Sequence, residues 1–128
     1  MKPCHEDTWG IPGGIVEQNE SPLQACVREV HEEIGLQRAM ERLLCVDYTS
    51  ENANSSESLQ FIFLGGTLSP DEIAAIRLCA EELSEYSLLE PAKALTLLNE
   101  RLSRRLARCL AALSTIGALY LEDQDVRL

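Results

Sequence analysis

Apolar residues recur along this chain with two periods, and the switches between them mark out its elements. From Ser21 to Ile34, Leu23, Cys26, Val27, Val30 and Ile34 gather on one side of a helix turning about 100° per residue, predicting a core-facing stripe. Ser21 is a good N-cap, Pro22 suits the first helical position and Gln24 completes a capping box, while Gly35 closes the helix where a left-handed residue is wanted. Leu43 to Thr49 reads as a strand and Ser50 to Ser56 as a polar loop. Ser58 to Leu64 reads as a second strand, with Leu59, Phe61 and Phe63 alternating against Gln60 and Ile62 until Gly65-Gly66 ends it. Ser69-Pro70-Asp71-Glu72 repeats the capping-box chemistry and predicts a short helix through about Ile76. Leu83 to Leu89 predicts a weaker strand, Pro91 to Leu113 a helical stretch broken near Asn99, and Ala118 to Leu128 a terminal hairpin around Asp123-Gln124. Trp9 to Gly14 reads as a strand end running into a glycine turn. Helices and strands alternate, so the class is α/β or α+β, and 128 residues fit one domain spanning 1–128.

Composition narrows the classes of function. Hydrophobic residues make up 45%, enough for one packed core, and no run approaches the roughly 18 to 20 apolar residues of a membrane span. Met1 to Asp7 lacks the apolar stretch of a signal peptide, so a cytoplasmic location is expected by default. Five scattered cysteines without a C-x-x-C pair, and histidines His5 and His31 apart from them, speak against zinc and against a disulfide framework; reduced, partly buried thiols are expected. A net charge of −10 argues against nucleic-acid polymers as the main partner, because phosphate backbones are bound by basic surfaces. A small anionic substrate remains accessible to an acidic protein when a cation stands between them.

The first helix supplies that possibility. Glu29, Glu32 and Glu33 fall within an arc of roughly 100°, Ala25 leaves the space beside them clear one turn earlier, and Arg28 and His31 flank them. Taken alone, three such glutamates read as a solvated face. Like charges at these spacings repel, however, by a few tenths of a kcal/mol per pair when exposed and by about 4 kcal/mol per close pair when partly desolvated, at an effective dielectric of about 20, and a hard divalent cation removes that penalty. The wider spacing is more specific: Gly14, five residues, Glu20, seven residues, then Arg28-Glu29-Val30-His31-Glu32-Glu33-Ile34-Gly35-Leu36. This stretch resembles the Nudix box, G-x5-E-x7-R-E-U-x-E-E-x-G-U with U aliphatic, and every defined position matches. A chance match at a given start is on the order of 10⁻¹⁰. Trp9-Gly10-Ile11-Pro12-Gly13-Gly14 is also similar to the family's approach to its box.

The resemblance implies a Nudix-type α/β/α sandwich with a mixed sheet, and metal-dependent hydrolysis of a diphosphate linkage in a nucleoside diphosphate derivative or nucleoside triphosphate. It implies Mg²⁺ or Mn²⁺ held by Glu29, Glu32 and Glu33, with Glu33 central and the Gly13 carbonyl as a backbone ligand. Such metals neutralise and orient the diphosphate and lower the pKa of the attacking water. Glu20 matches a glutamate that supports the water network, and Arg28 is placed to hold Glu20 or Glu29 by a charge-assisted bond. The general base varies in this family; Glu82 is the nominee, with Glu81 and Glu85 beside it, set against the reading of that run as a solvated face.

Other positions carry weaker readings. His31 occupies a variable position of the box and is expected to flank the site at the surface. Trp9 and Tyr48 have faces on which a base can stack, although core packing suits Trp9 better. Arg101, Arg104, Arg105 and Arg108 form a basic helical patch, read either as a phosphate or acidic-partner contact or, more simply, as a solvated face opposite Leu102, Leu106 and Leu110. Only eight residues precede Trp9, where relatives normally carry strands. Those strands are therefore expected to be missing or replaced, with Ala118 to Leu121 or a partner subunit covering the sheet there, since a bare edge invites aggregation. A homodimer is admitted by analogy. The contrasting function is a Nudix-fold module that binds a nucleotide-like ligand without turnover.

Overall fold

The computed structural model describes residues 1–4 and 8–128, and His5, expected to stand apart from the cysteines, lies outside them. The chain folds as two compact units, one formed by residues 1–41 and 65–89, the other by residues 42–64 and 90–128.

The first unit contains β1 (Lys2–Pro3), α1 (Pro22–Ile34), α2 (Pro70–Ala74) and β4 (Leu83–Glu85), with β1 and β4 paired antiparallel. α1 is delimited as its sequence requires. Ser21 Oγ accepts the Gln24 amide at 3.1 Å while Gln24 Oε1 accepts the Ser21 amide at 2.8 Å, so two otherwise orphaned donors are satisfied reciprocally. At the other end Gly35 takes φ 75° and its amide reaches the His31 carbonyl. α2 repeats the reciprocal box through Ser69 and Glu72, but it stops at Ala74, short of the expected Ile76. The Leu83 strand is likewise shorter than expected, ending at Glu85. Trp9 to Gly14 contributes no ladder beyond Gly10, whose amide and carbonyl both bond to Met1.

One expectation is corrected in α1. Its buried residues are Ala25 and Glu33, whereas Leu23, expected in the core stripe, is 47% exposed and Cys26, Val27, Val30 and Ile34 are only half-buried. The glycine loop ahead of the helix packs onto Glu29 and Glu33 and covers them despite their charge, while Glu32 stays exposed.

The second unit contains β2 (Arg42–Thr49), β3 (Ser58–Leu64), α3 (Pro91–Leu97), α4 (Glu100–Ala111), β5 (Leu119–Glu122) and β6 (Asp125–Val126). Its mixed sheet has the order β3-β2-β5-β6, with β2 antiparallel to β3 and parallel to β5. The 118–121 segment therefore covers one edge of β2. The expected break near Asn99 is real: Asn99 caps α4 by accepting the Leu102 amide at 2.9 Å. β5 and β6 form the expected hairpin, and Asp123 and Gln124 take φ 46° and 68° at its turn.

The core of this unit is Cys45, Cys109 and Leu121, with Leu44, Ile62 and Leu119 packed around them. Two expectations change here. In β3 it is Ile62 that meets this core, and Leu59 is 56% exposed, so the alternation is resolved in favour of the face opposite to the one the larger apolar residues suggested. The basic patch is a solvated face only in part: Arg101, Arg104 and Arg108 are exposed and Arg105 is not. Arg105 is 7% exposed and donates through Nε to Asp47 Oδ2 at 2.7 Å and through Nη2 to Thr49 Oγ1 at 3.2 Å. Arg104 and Arg108 turn to the Asp125 carboxylate, and Arg108 Nε donates to the Gln124 carbonyl. Asp47 is fully buried and takes its donors from Arg105 and from the Gln124 amide and side chain, since an unpaired buried charge is prohibitively costly.

Candidate functional site

The site is built within the first unit, on α1 and the loops flanking it. Residues three and four apart share a helix face, so Glu29 and Glu33 lie one turn apart, above Ala25. Gly13 and Gly14 bring the preceding loop against them. The Gly13 amide donates to Glu33 Oε1 at 2.7 Å, and Gly14 comes so near Glu29 that a Cβ there would collide with its carboxylate. The close approach explains a glycine at position 14 on steric grounds alone.

Arg28 is the electrostatic hub. It grips Glu20 with both arms of its fork, Nε to Oε2 at 2.7 Å and Nη2 to Oε1 at 3.0 Å. Its Nη1 reaches Glu29 Oε1 at 2.9 Å and Glu32 Oε2 at 3.2 Å, and Nη2 also donates to the Ile15 carbonyl. Charge-assisted forks of this kind fix orientation as well as energy. The sequence left Glu20 and Glu29 as alternative partners, and the guanidinium binds both. The hydrogen bonds from Arg28, and then the Glu17 amide, hold Glu20 below the usual carboxylate range.

Glu33 behaves oppositely. It is 8% exposed, and burial is the main cause that pushes its carboxyl up to about 7, opposed by the Gly13 amide and augmented by the negative charges of Glu29 and Glu82. Glu82 acts on it because the 77–82 loop is tied to the end of α1: the Arg77 amide bonds to the Ile34 carbonyl at 2.9 Å and the Cys79 amide to the Glu33 carbonyl at 3.1 Å. Within the acidic run, Glu82 is the member whose negative charge acts on Glu33; Glu81, Glu82 and Glu85 are all exposed, and Glu85 sits in β4 opposite Lys2.

His31 is exposed at the end of α1, and Trp9 is half-buried. Tyr48 and the Arg101 to Arg108 patch belong to the second unit, where Tyr48 Oη donates to Glu57 at 2.6 Å. Sequence reasoning missed three participants: the Ile15 carbonyl, Glu17 at 3.8 Å from Arg28, and the N-terminal ammonium, whose charge acts on Glu33. Only Glu17 left a signal, as an acidic residue in the loop between Gly14 and Glu20.

The donor chemistry suits a hard cation: carboxylate oxygens at helical spacing, one of them buried beside two like charges. Among the described residues, no three carboxylate, histidine or cysteine side chains converge on a point, because Glu29 and Glu32 are turned to Arg28. Ligation requires those two side chains to leave the guanidinium.

Comparison with known proteins gives a consistent picture. The NUDIX domain family model matches residues 2–111. An RNA pyrophosphohydrolase of Haemophilus influenzae is 49% identical over 45 residues, which is 35% of this chain and 23% of that protein. The human diphosphoinositol polyphosphate phosphohydrolase 3-alpha is 48% identical over 42 residues, 33% of this chain and 26% of the relative. The match thus spans about a quarter of the length of these curated relatives. A MutT protein from Methanosarcina mazei Go1 shares the fold with a TM-score of 0.69 at 24% identity, covering 84% of this chain and 75% of the other.

Proposed function

The chain belongs to the Nudix family, and from that premise we propose that it is a pyrophosphohydrolase acting, with Mg²⁺ or Mn²⁺, on a diphosphate linkage in a nucleotide-like substrate, through one site on a single catalytic domain. The observation that carries this reading is Glu33: a buried carboxylate on the box helix, held by the Gly13 amide and set under the negative fields of Glu29 and Glu82. A side chain kept in so unfavourable a place is a mark of function, and a cation is the partner that relieves it.

Glu29, Glu32, Glu33 and the Gly13 carbonyl would hold the cation. When bound, it would neutralise the diphosphate and acidify the attacking water. Arg28 positions Glu20 and, in the arrangement described, restrains Glu29 and Glu32 until they are needed. Glu82 is the nominee to take the proton from water, on the strength of its field at Glu33. The names of the relatives widen the panel of substrates worth testing to include the 5′-terminal phosphates of RNA and diphosphoinositol polyphosphates. A terminal phosphate group needs no polymer-binding surface, so the acidic charge of the chain is compatible with it.

The capture of Glu29 and Glu32 by Arg28 also favours, more weakly, a module that binds its ligand without turnover. Phosphate and pyrophosphate release from nucleotides, nucleotide sugars, 5′-triphosphate RNA and diphosphoinositol polyphosphates, with Mg²⁺ or Mn²⁺, separates the two. Metal-dependent turnover that drops by roughly 100-fold or more in Glu33→Gln establishes the hydrolase. Calorimetric binding of metal and nucleotide with no turnover on any substrate establishes the binding module.

A further inference from the structure

Charge is divided unevenly between the two units. Thirteen of the 21 aspartates and glutamates lie in the unit that carries the box helix, whereas seven of the eleven lysines and arginines lie in the other. The second unit is thus nearly neutral in a chain of net charge −10, and four of its arginines stand on α4. Arg105 is committed to the buried Asp47. Arg101, Arg104 and Arg108 share the exposed face, because residues three, four and seven apart fall on one side of a helix. Arg104 Nη2 and Arg108 Nη2 converge on the same oxygen, Asp125 Oδ1, at 3.3 and 3.6 Å. The Arg108 fork is fixed by the Gln124 carbonyl, which accepts from its Nε at 3.2 Å. The neighbouring Asp123 carboxylate is turned to Ser50, accepting its amide at 2.9 Å and its hydroxyl. Among the described residues, Arg101 forms no ion pair, whereas Arg104, Arg105 and Arg108 each do.

We propose that Arg101, Arg104 and Arg108 bind the terminal phosphate or diphosphate group of a small molecule, and that Asp125 stands in the place of that group in the free protein. Two guanidiniums aimed at one oxygen form a ready anion cradle, and arginine forks match the geometry of phosphate oxygens. Charge selects the occupant. Replacing Asp125 by the carboxylate of an acidic peptide exchanges one negative charge for another, whereas a terminal phosphate brings nearly two charges and three acceptor oxygens. A nucleic-acid backbone brings one charge per phosphodiester, and the acidic remainder of the chain repels a polymer. The side chains of Arg104, Arg108 and Asp125 are all about half-exposed. Exposed pairs of this kind contribute little to stability, so Asp125 leaves at small cost. The cradle lies wholly in the second unit and uses no cation, so it is independent of the proposed hydrolysis.

Titration calorimetry with inorganic pyrophosphate, in EDTA so that no divalent cation takes part, tests the site. The expected result is saturable binding that weakens with added salt, which screens the guanidiniums. Arg104→Gln alters an exposed side chain and is expected to weaken binding about tenfold while leaving the circular dichroism spectrum unchanged. Asp125→Asn removes the resident competitor and is expected to strengthen binding severalfold, a gain that a merely structural ion pair does not give. Citrate, a polyanion without phosphate, and an oligonucleotide without terminal phosphates are each expected to bind about tenfold more weakly than pyrophosphate. No saturation at millimolar pyrophosphate, binding indifferent to Arg104→Gln, binding unchanged or weakened by Asp125→Asn, or equal affinity for citrate or the oligonucleotide would each overturn the proposal. Because the readout needs no metal and no turnover, its failure leaves the hydrolase reading standing, and the failure of that reading leaves this site standing.

Discussion

At Gly14 a single missing methyl decides where a carboxylate stands. The group a Cβ would strike is the far end of a flexible side chain, so the fold can yield cheaply but Glu29 cannot keep its place. Gly14→Ala is therefore expected to shift the melting temperature by less than about 3 °C, which for a domain of this size corresponds to roughly 1 kcal/mol or less, and to weaken Mn²⁺ binding severalfold by calorimetry. Glu33 carries the pH dependence. Its carboxyl binds a proton more tightly in the folded protein, at about 7, than at its ordinary 4.5. Between those values the folded state holds the extra proton, so stability falls as pH rises through the window, and the whole cost, on the order of 3 kcal/mol, stands above about 7. Urea titrations of the metal-free protein at pH 5 and pH 8 should show this loss in the wild type and a flatter profile in Glu33→Gln. An equal loss in both would remove Glu33 as its cause.

At the scale of elements, local signals and buried partners divide the credit. The reciprocal cap at Ser21 and the glycine at the end of α1 are legible in sequence because each depends on residues within one turn. Ser21→Ala should cost about 1 kcal/mol of stability by urea denaturation. The face that α4 buries was not legible, because an arginine at 105 looks like surface until Asp47 is known to lie beneath it. Arg105→Met leaves that aspartate buried without its cation and should cost about 3 to 5 kcal/mol. Adding Asp47→Leu should recover most of the loss, the test being whether the double variant melts above the single one. The same hidden neighbour explains β3: Ile62 faces inward because the core of Cys45, Cys109 and Leu121 lies on its side of the sheet, a fact no alternation within seven residues contains.

For the whole molecule, the proposed cation couples to folding. A ligand that binds only the folded state stabilises it by about 2.7 kcal/mol at one hundred times its dissociation constant, so saturating Mn²⁺ should raise the melting temperature of the wild type by several degrees and leave Glu33→Gln nearly unmoved. An equal rise in both would locate binding elsewhere. Family membership and the class of the fold were readable from the chain itself, since the box is a contiguous motif whose residues are set by helical spacing and a tight turn. Among the described residues no helix is long and apolar enough to cross a membrane, as the hydropathy pattern already indicated. Tertiary structure alone decided the pairing of β5 in parallel with β2, the burial of Arg105 on Asp47, the reach of Glu82 to Glu33 through the docked 77–82 loop, and the capture of Glu29 and Glu32 by Arg28. The division has one physical cause. Caps, turns and helix faces are set by neighbours within a turn or two, while burial and electrostatic partnership are set by residues that only folding brings together.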